Sequence, residues 1–220
     1  GESFDIHGGG IENQFPHHEC EIAQAEAATG QPFVKYWIHH NMVTVDGQKM
    51  GKSLGNFVTL AQLFSGEHPR LKKAFDPFVV RQFVLSSHYR SPQDFSNDAL
   101  VAAESGFEKL RAAVTTAREN ALGAIEAQAT GEIRARLDDI RTRFEKAMDD
   151  DFNTAIALST LFELVRDVNT WKNQDLEPAT WLAVTDVFDT LGGNVLGIVP
   201  EEYAQDAGAT SDALDPVVRL

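Results

Sequence analysis

Two groups of residues in the first quarter of the chain carry side chains suited to metal binding or catalysis. His17 and Glu21 are four residues apart, and on a helix this spacing projects both side chains from one face, as two ligands of one metal ion require. The same spacing is also typical of an ordinary surface pair, so both interpretations stay open here. The neighbouring His18 and Glu19 do not begin a zinc-protease motif, because that motif needs a second histidine where Ile22 stands.

The second group is the segment Lys49-Met50-Gly51-Lys52-Ser53-Leu54-Gly55-Asn56. Its two lysines flank small residues. A mobile loop of this kind can fold over a triphosphate, so that the ammonium groups meet the charge that develops as pyrophosphate leaves. The lysines taken alone fit a solvated basic loop equally well, whereas the complete pattern of eight residues favours nucleotide chemistry.

A strand, a glycine turn and a helix precede this loop and would position the first group. Residues 4–7 alternate as a short strand and run into the glycines at 8–10, where a backbone can approach a ligand closely. Residues 15–28 have a helical composition. Residues 34–45 are rich in aromatic and β-branched side chains and end at Asp46-Gly47, which predicts a second strand and a tight turn.

After residue 60 the apolar residues recur at helical spacing, in four stripes that step by three and four. Four amphipathic helices imply a bundle, so the predicted fold class is α/β followed by all-α. The stripes are Leu100, Ala103, Phe107, Leu110 and Val114; Ile133, Leu137, Ile140, Phe144 and Ala147; Leu158, Leu161, Phe162, Val165 and Val168; and Trp181, Val184, Val187, Phe188 and Leu191.

The acidic run Asp149-Asp150-Asp151-Phe152-Asn153 separates the second and third stripes. Its carboxylates have the chemistry of a metal site. Asp and Asn are also favoured residues at helix N-termini, where their oxygens accept hydrogen bonds from free backbone N–H groups. We interpret the run as helix capping.

Composition restricts the range of functions. The formal net charge of −14 argues against a general nucleic-acid binder, since phosphate contacts need a cationic surface. Only the segment 61–95 is net positive, with five Lys and Arg against three Asp and Glu. If an RNA contacts this chain, this segment is where the contact is expected, although ordinary solvated surface is the favoured interpretation of each side chain taken alone. The candidates are Arg70, Lys72, Lys73, Arg81 and Arg90.

The remaining composition predicts a protein of the cytoplasm. No stretch approaches the roughly 20 apolar residues that a membrane span needs, and the single cysteine, Cys20, cannot form an internal disulfide. Gly1 opens almost directly onto a strand, and an apolar pattern begins at residues 216–220. Both ends therefore suggest an interior fragment of a longer chain.

The motifs resemble those of one enzyme family. Lys49-Met50-Gly51-Lys52-Ser53 is similar to the KMSKS signature of class I aminoacyl-tRNA synthetases, and the Leu-Gly-Asn that follows is usual in several of them. The glycine-rich strand and the helix start resemble the segment characteristic of cysteinyl-tRNA synthetases, and the likeness covers nearly the whole chain. These two segments are Asp5 to Gly10 and Phe15 to Glu19. The likeness continues through Tyr36-Trp37, Val45 to Gly47, His88 to Ser91 and Met148 to Thr154.

The resemblance implies a zinc ion that binds the thiolate of substrate cysteine. Its histidine and glutamate ligands correspond to His17 and Glu21, and its two cysteine ligands would lie upstream of Gly1. Zinc favours a soft sulfur ligand over a serine hydroxyl, which explains selection without editing. Cys20 corresponds to neither cysteine, so this chain alone is expected to bind zinc poorly.

The resemblance also implies an ATP site. His7 would lie beside the substrate, Gly8, Gly9 and Gly10 would let the nucleotide approach the backbone, and Glu12 would face the ribose hydroxyls, where related sequences often carry aspartate. Ser53 of the signature would belong to the same site.

Lys49 and Lys52 are the implied catalytic residues, and they would stabilise the triphosphate of magnesium-bound ATP. Gly51 replaces the usual first serine of the signature, which removes a hydroxyl but neither cation. The implied reaction joins L-cysteine to tRNA(Cys) through a cysteinyl-adenylate. The HIGH signature of the family is absent from the chain, so we expect the isolated fragment to be inactive.

The implied organisation has four parts and a monomeric parent protein. Residues 1–60 would end a Rossmann-like catalytic domain, 61–95 would form a basic helical connector towards the tRNA stem, 96–200 a helical bundle on the anticodon side, and 201–220 a linker. Two alternatives stay open. One is a cysteine ligase of the mycothiol pathway, which delivers cysteine to an amino sugar, and the other is a non-catalytic paralogue that uses the bundle for interaction.

Overall fold

A computed structural model describes residues 3–203 of the chain. These residues divide into two compact units. The first consists of the residues up to Phe57 together with Tyr89–Phe95, and the second consists of Val58–His88 together with the residues from Ser96 onwards. The segment 61–95, which the sequence suggests as one connector, is thus shared between the two units.

The first unit begins with a parallel strand–helix–strand arrangement. Strand β1 (Phe4–Gly10) pairs in parallel with β2 (Val34–His40), and helix α1 (Glu19–Thr29) connects them. The register places His7 opposite Trp37. Gly30 ends α1 in the left-handed conformation with φ 68°, which glycine adopts without steric cost.

Three details differ from the prediction for this part. The three glycines continue β1 rather than ending it. The helix is assigned from Glu19 and not from residue 15. Phe15 is extended (φ −134°, ψ 132°) and separates the turn at Ile11–Asn13 from the helical residues that lead into α1. The predicted strand 34–45 is interrupted after His40.

A second, three-stranded sheet follows in the same unit. Its strand order is β4–β3–β5, from β3 (Val43–Val45), β4 (Gln48–Lys49) and β5 (Gln93–Phe95). The β3–β4 hairpin turns at Asp46-Gly47, where both residues have positive φ (53° and 75°), as a type I′ turn requires. Strand β5 pairs in parallel with β3. The tight turn is as predicted, whereas β5 was not anticipated.

The second unit is helical, as predicted. Four of its helices, α4 to α7, carry the four apolar stripes, and their apolar residues form one buried core that includes Leu110, Ile140, Leu161 and Val184. The last helix continues into a wider turn over Phe188–Val195. The helices are α2 (Leu60–Ser65), α3 (Pro77–Leu85), α4 (Asn97–Asn120), α5 (Gly131–Asp149), α6 (Thr154–Trp171) and α7 (Pro178–Val187).

The acidic run after α5 contains the predicted helix cap. The side-chain oxygen of Asn153 accepts a hydrogen bond from the backbone N–H of Ile156, at 3.2 Å, and so caps α6. Asp149 is the last residue of α5, and Asp151 lies 3.8 Å from the His88 ring. Within residues 3–203, the carboxylates of this run do not belong to any cluster of three side chains that could hold a metal ion.

The helices of the described segment fall short of the combination of length and apolarity that a bilayer span requires. The predicted linker 201–220 lies outside the described residues except for its first three.

Candidate active site

His17, Glu21 and His7 meet at the start of helix α1. The Nε2 atom of His17 lies 3.4 Å from Oε1 of Glu21, and Nε2 of His7, on strand β1, lies 2.9 Å from Oε2 of the same carboxylate. The glutamate therefore stands between two imidazoles. The structure places His17 and Glu21 together, as their spacing on the chain suggests, and adds His7 to them.

The donor set of this cluster fits a zinc ion. Imidazole nitrogen and carboxylate oxygen are both zinc ligands at about 2.0–2.2 Å, and two ligands of one tetrahedral ion are then about 3.4 Å apart. The buried Oε2 atom of Glu21 makes no hydrogen bond of good geometry, despite its short distance to His7. Ligand atoms of His7, His18 and Glu21 also lie within 4.8 Å of one another.

His18 is the buried member of this region, with 5% of its surface exposed. Its Nδ1 lies 2.8 Å from Nε2 of His39, so one ring donates a hydrogen bond to the other. Its ring centroid lies 5.0 Å from that of Trp37 and 5.1 Å from that of His7. Burial, and then the proximity of His39, lowers the pKa of His18 below the ordinary histidine value, although Glu21 acts in the opposite direction.

The contact between His18 and His39 was not predicted from the sequence. The chain contains two His-His dipeptides, 17–18 and 39–40, and in each of them the two side chains point in different directions. Only the pairing of β1 with β2 and the start of α1 decide that His18 and His39 face each other. Each His-His dipeptide nevertheless carries a signal, because neighbouring side chains on a strand or a helix point in different directions, so one histidine of each pair can face inwards. His18 and His39 are these residues.

The glycines of β1 make room for neighbouring side chains. A Cβ atom at Gly9 would lie 2.7 Å from Cε1 of His18, and a Cβ atom at Gly10 would overlap the carboxylate of Glu12. At Gly8 the nearest atom would be the carbonyl oxygen of Ile38 at 3.6 Å, which is an ordinary contact. Gly9 is therefore required by the protein's own packing, because the buried His18 ring cannot give way, whereas the exposed Glu12 side chain can move away from a Cβ atom at Gly10.

The lysine loop lies in the same unit. Lys49 belongs to β4, and its Nζ atom lies 3.7 Å from a carboxylate oxygen of Glu12. Residues Lys52–Leu54 form one 3₁₀ turn, and the Nζ atom of Lys52 lies 5.5 Å from the centroid of the Phe57 ring. Lys49, Lys52 and Ser53 are all exposed, as groups that receive a triphosphate must be.

The five candidate RNA contacts do not form one group. Four of them belong to the second unit, and Arg90 belongs to the first, where its guanidinium lies 5.2 Å from the Tyr89 ring. Lys72 pairs with Asp98 at 3.5 Å, and Lys73 pairs with Glu104.

Arg81 and Arg70 differ in their surroundings. Arg81 donates from Nε to the carbonyl oxygen of Leu196 at 2.7 Å, and its guanidinium packs against Gly197, so it has a structural role in the second unit. Arg70 is exposed on the segment between α2 and α3.

Comparison with known proteins gives two sequence families along the chain. Residues 1–105 match the family described as tRNA synthetases class I (C) catalytic domain. Residues 143–200 match the DALR domain. The first family covers the described part of the first unit and continues to the first part of α4, and the second covers the end of α5, α6 and α7.

Curated relatives agree with these families. The chain is 46% identical to the cysteine--tRNA ligase of Chlorobaculum tepidum, over all of the chain and 43% of that protein. It is 44% identical to the cysteine--tRNA ligase of Porphyromonas gingivalis, over 96% of the chain and 42% of that protein. The chain thus spans less than half the length of these relatives.

A solved structure shows the same fold. The chain superimposes on a leucyl-tRNA synthetase from Agrobacterium radiobacter K84, crystallised with tRNA and LeuAMS, with a TM-score of 0.65. The two are 16% identical, and the superposition covers 94% of this chain and 30% of the other. Together with the identities to curated relatives over nearly the whole chain, these findings place the chain in the cysteinyl-tRNA synthetase family of class I aminoacyl-tRNA synthetases.

Proposed function

We propose that the full-length protein containing this chain joins L-cysteine to tRNA(Cys), using ATP. The observation that carries the proposal is the presence, in one compact unit, of the His17–Glu21 pair and of the exposed lysine loop. The first is suited to a thiol-binding metal and the second to a nucleoside triphosphate. Relatives named cysteine--tRNA ligase support the same assignment.

His17 and Glu21 would hold one zinc ion through Nε2 and Oε1, together with two cysteines from outside this chain. When bound, zinc would offer an open coordination position that prefers the thiolate of cysteine to the hydroxyl of serine. His7 lies against the other oxygen of Glu21, and this contact would leave Oε1 turned towards His17. A chain with two of four ligands should retain zinc weakly.

The ATP site would be formed by His7, the glycines at 8–10, Glu12 and Ser53. Glu12 would accept hydrogen bonds from the ribose hydroxyls, which requires Lys49 to release its present contact with Glu12. Lys49 and Lys52 would then neutralise the triphosphate and its magnesium-bound pyrophosphate product.

The reaction would take two steps. The cysteine carboxylate attacks the α-phosphate, the bond between the α- and β-phosphates breaks, and pyrophosphate leaves. The terminal ribose hydroxyl of the tRNA then attacks the carbonyl carbon of the adenylate, and AMP leaves. The chain's residues contribute by positioning the reactants and neutralising charge.

The parts of the chain would divide the tRNA-dependent work. Residues 1–60 would complete the catalytic domain, the segment 61–95 would approach the tRNA stem, 96–200 would lie on the anticodon side, and 201–220 would lead onwards. Basic contacts would come from Arg70, Lys72, Lys73 and Arg90, with Arg81 mainly supporting the fold. We propose a monomeric, cytoplasmic protein.

The test is zinc content and ATP–pyrophosphate exchange of the full-length protein. Stoichiometric zinc and exchange with cysteine but not serine are expected. His17→Ala should lose both, and Lys52→Ala should lose exchange while keeping zinc. Lys35→Ala is the matched control, since Lys35 is an exposed lysine of the same unit, paired with Asp5, and it should keep both.

Two outcomes would overturn the proposal. A zinc-free protein without exchange would favour a non-catalytic paralogue. If the protein exchanged pyrophosphate and transferred cysteine to an amino sugar but did not charge tRNA(Cys), a cysteine ligase of the mycothiol pathway would be favoured.

A further inference from the structure

Asn56 is one of the few buried polar residues of the first unit, with 3% of its surface exposed. Its Nδ2 donates a hydrogen bond to the carbonyl oxygen of Lys49 at 3.1 Å, and its Oδ1 accepts one from the backbone N–H of Gly51 at 2.8 Å. The two bonds bracket Met50 and tie the end of the lysine loop to its beginning. We call this pair of bonds the Asn56 clasp.

The rest of the loop is held by few contacts. Lys49 itself is held in β4 by its pairing with Thr44 of β3. Beyond Lys49, the other backbone bonds of the loop join Met50 N–H to the carbonyl of Val43 and close the short turn from Gly51 to Gly55. The side chains of Lys49 and Lys52 are exposed. The buried Asn56 side chain therefore links the end of β4, at Lys49, to Gly51, the residue before Lys52, and so fixes the backbone between the two lysines.

Phe57 strengthens this arrangement from the next position. The ammonium group of Lys52 lies 5.5 Å from the Phe57 ring centroid, within the range of a cation–π contact. Asn56 thus holds the backbone before Lys52, while its neighbour receives the end of the lysine side chain. The two contacts thus come from the last residue of the loop and from the residue that follows it.

We propose that Asn56 is a positioning residue for adenylate formation: its amide clasps the loop so that Lys49 and Lys52 meet the leaving pyrophosphate. The inference rests on the proposed function and adds a residue that does not touch the nucleotide. Preorganised charge is effective because no reorganisation is needed as the reaction proceeds, and small displacements of a catalytic group reduce the rate strongly.

The chemistry of the clasp requires an amide. An asparagine supplies one donor and one acceptor from a planar group, and the clasp uses both. In Asn56→Asp a carboxylate oxygen would face the carbonyl oxygen of Lys49, so that bond is lost and repulsion replaces it, with almost no change in shape. The substitution therefore opens the loop without creating a cavity.

Asn41 provides a matched control. It also lies in the first unit and also bridges backbone groups, since its Nδ2 donates to the carbonyl of Arg90 at 2.9 Å and its Oδ1 accepts from Met42 N–H at 2.8 Å. Asn41→Asp should therefore disturb the unit in a similar way without touching the loop. ATP–pyrophosphate exchange is the readout, because it requires no tRNA.

In the full-length protein, Asn56→Asp should lower kcat for exchange by about tenfold or more, with KM for cysteine unchanged. Asn41→Asp should lower the melting temperature Tm by about as much as Asn56→Asp does. It should leave kcat within about twofold of that of the unmodified protein. Trypsin cleavage after Lys49 and Lys52, followed by mass spectrometry, should be several-fold faster in Asn56→Asp, with cleavage after Lys35 unchanged.

The outcomes separate the two proposals. If the unmodified protein exchanges pyrophosphate but Asn56→Asp and Asn41→Asp lose the same activity, or if cleavage of the loop is not accelerated, the positioning role is wrong and the proposed function stands. If the unmodified protein shows no exchange at all, the proposed function fails and the positioning role fails with it.

Discussion

The two units are held together in different ways. Among residues 3–203, the buried apolar residues of the first unit are Val45 and Phe95, whereas the second unit buries a long series of aliphatic and aromatic side chains across its helices. His18 and Asn56 are buried in the first unit as well. The second unit is thus stabilised by apolar packing, and the first depends on a small number of directional contacts.

Rings replace aliphatic packing in the first unit. Trp37 lies 4.7 Å from the ring of His7 and is stacked on His39 at 5.6 Å, and Phe33 contacts both His7 and Trp37. Such contacts depend on orientation more than on buried area. These ring contacts surround the imidazoles of His7, His18 and His39, and the His18–His39 hydrogen bond supplies a partner for one buried ring nitrogen.

The largest expected difference between the units comes from deleting a large apolar side chain. Phe144→Ala in α5 removes a ring that is 2% exposed, and it should lower the free energy of unfolding by about 4 kcal/mol. Hydrogen exchange measured by mass spectrometry should show the loss in peptides of α5 and α6. Phe15→Ala in the first unit, where the ring is 79% exposed, should change stability by less than about 0.5 kcal/mol. Similar losses in the two variants would contradict the comparison.

An ion-pair network gives the second unit a pH dependence. Glu163 on α6 accepts hydrogen bonds from Arg143 and Arg136 on α5. These bonds, with that from Arg143 first, lower the pKa of Glu163 to about 2, against the effect of burial. Because the folded pKa lies below the unfolded one, the carboxylate stabilises the fold fully above about pH 4.5, and this contribution is lost as the pH falls towards 2.

Glu163→Gln should therefore lower the free energy of unfolding by about 2 kcal/mol at pH 7. The difference from the unmodified protein should shrink between pH 4.5 and 2, which urea unfolding monitored by circular dichroism can follow. Glu145→Gln is a suitable control on an exposed position of α5. A difference that stays constant with pH would show that Glu163 acts by shape and not by charge.

The helical unit was accessible from sequence because its signal is local. Residues three and four apart on one helix share a face, so the apolar stripes of α4 to α7 predict both the helices and the core. Asn153 likewise caps the helix that begins immediately after it. Each of these relations spans a few residues, and no knowledge of distant contacts is needed.

The first unit was predictable only where a motif exists. Its strand, helix and lysine loop could be anticipated, and His17 and Glu21 lie together. Strand β5 consists of three residues that pair with β3 about fifty positions earlier, and no local pattern reports such a pairing. The same holds for the His18–His39 contact and for the Asn56 clasp, because each depends on which of several polar residues the backbone turns inwards.

The glycines of β1 test whether the first unit is as intolerant as its contacts suggest. Gly9→Ala would place a Cβ atom 2.7 Å from the ring of His18, which is confined by Trp37 and His39 and has little room to move. A loss of about 1–3 kcal/mol is expected, with faster hydrogen exchange in β1 and β2. Gly8→Ala, whose Cβ would make only an ordinary contact at 3.6 Å, should be tolerated. If Gly9→Ala and Gly8→Ala lowered the stability equally, the contact between a Cβ atom at Gly9 and the His18 ring would not be the cause of the loss.

The smallest expected effect concerns the turn before the lysine loop. The Oδ1 atom of Asp94 accepts hydrogen bonds from the hydroxyl of Thr44 at 2.6 Å and from Gly47 N–H at 2.8 Å. The Thr44 bond first, and then that of Gly47, lowers the pKa of Asp94. Since the folded pKa lies below the unfolded value of about 3.9, the stabilisation is complete above that pH and is lost as the pH falls through the folded pKa.

Asp94→Asn keeps an acceptor but loses its charge, so at pH 7 it should lower local stability by no more than about 1 kcal/mol, since the side chain is exposed. Hydrogen exchange in a peptide that contains Gly47 should be faster in the variant at pH 7, and the difference from the unmodified protein should shrink as the pH falls through the folded pKa of Asp94. Asp5→Asn, which removes a solvent-exposed pair with Lys35 in the same unit, should leave this peptide unchanged. Equal exchange at pH 7 would mean that β3 and β4 hold the turn without Asp94, and the first unit would then depend less on single polar contacts than its sparse core suggests.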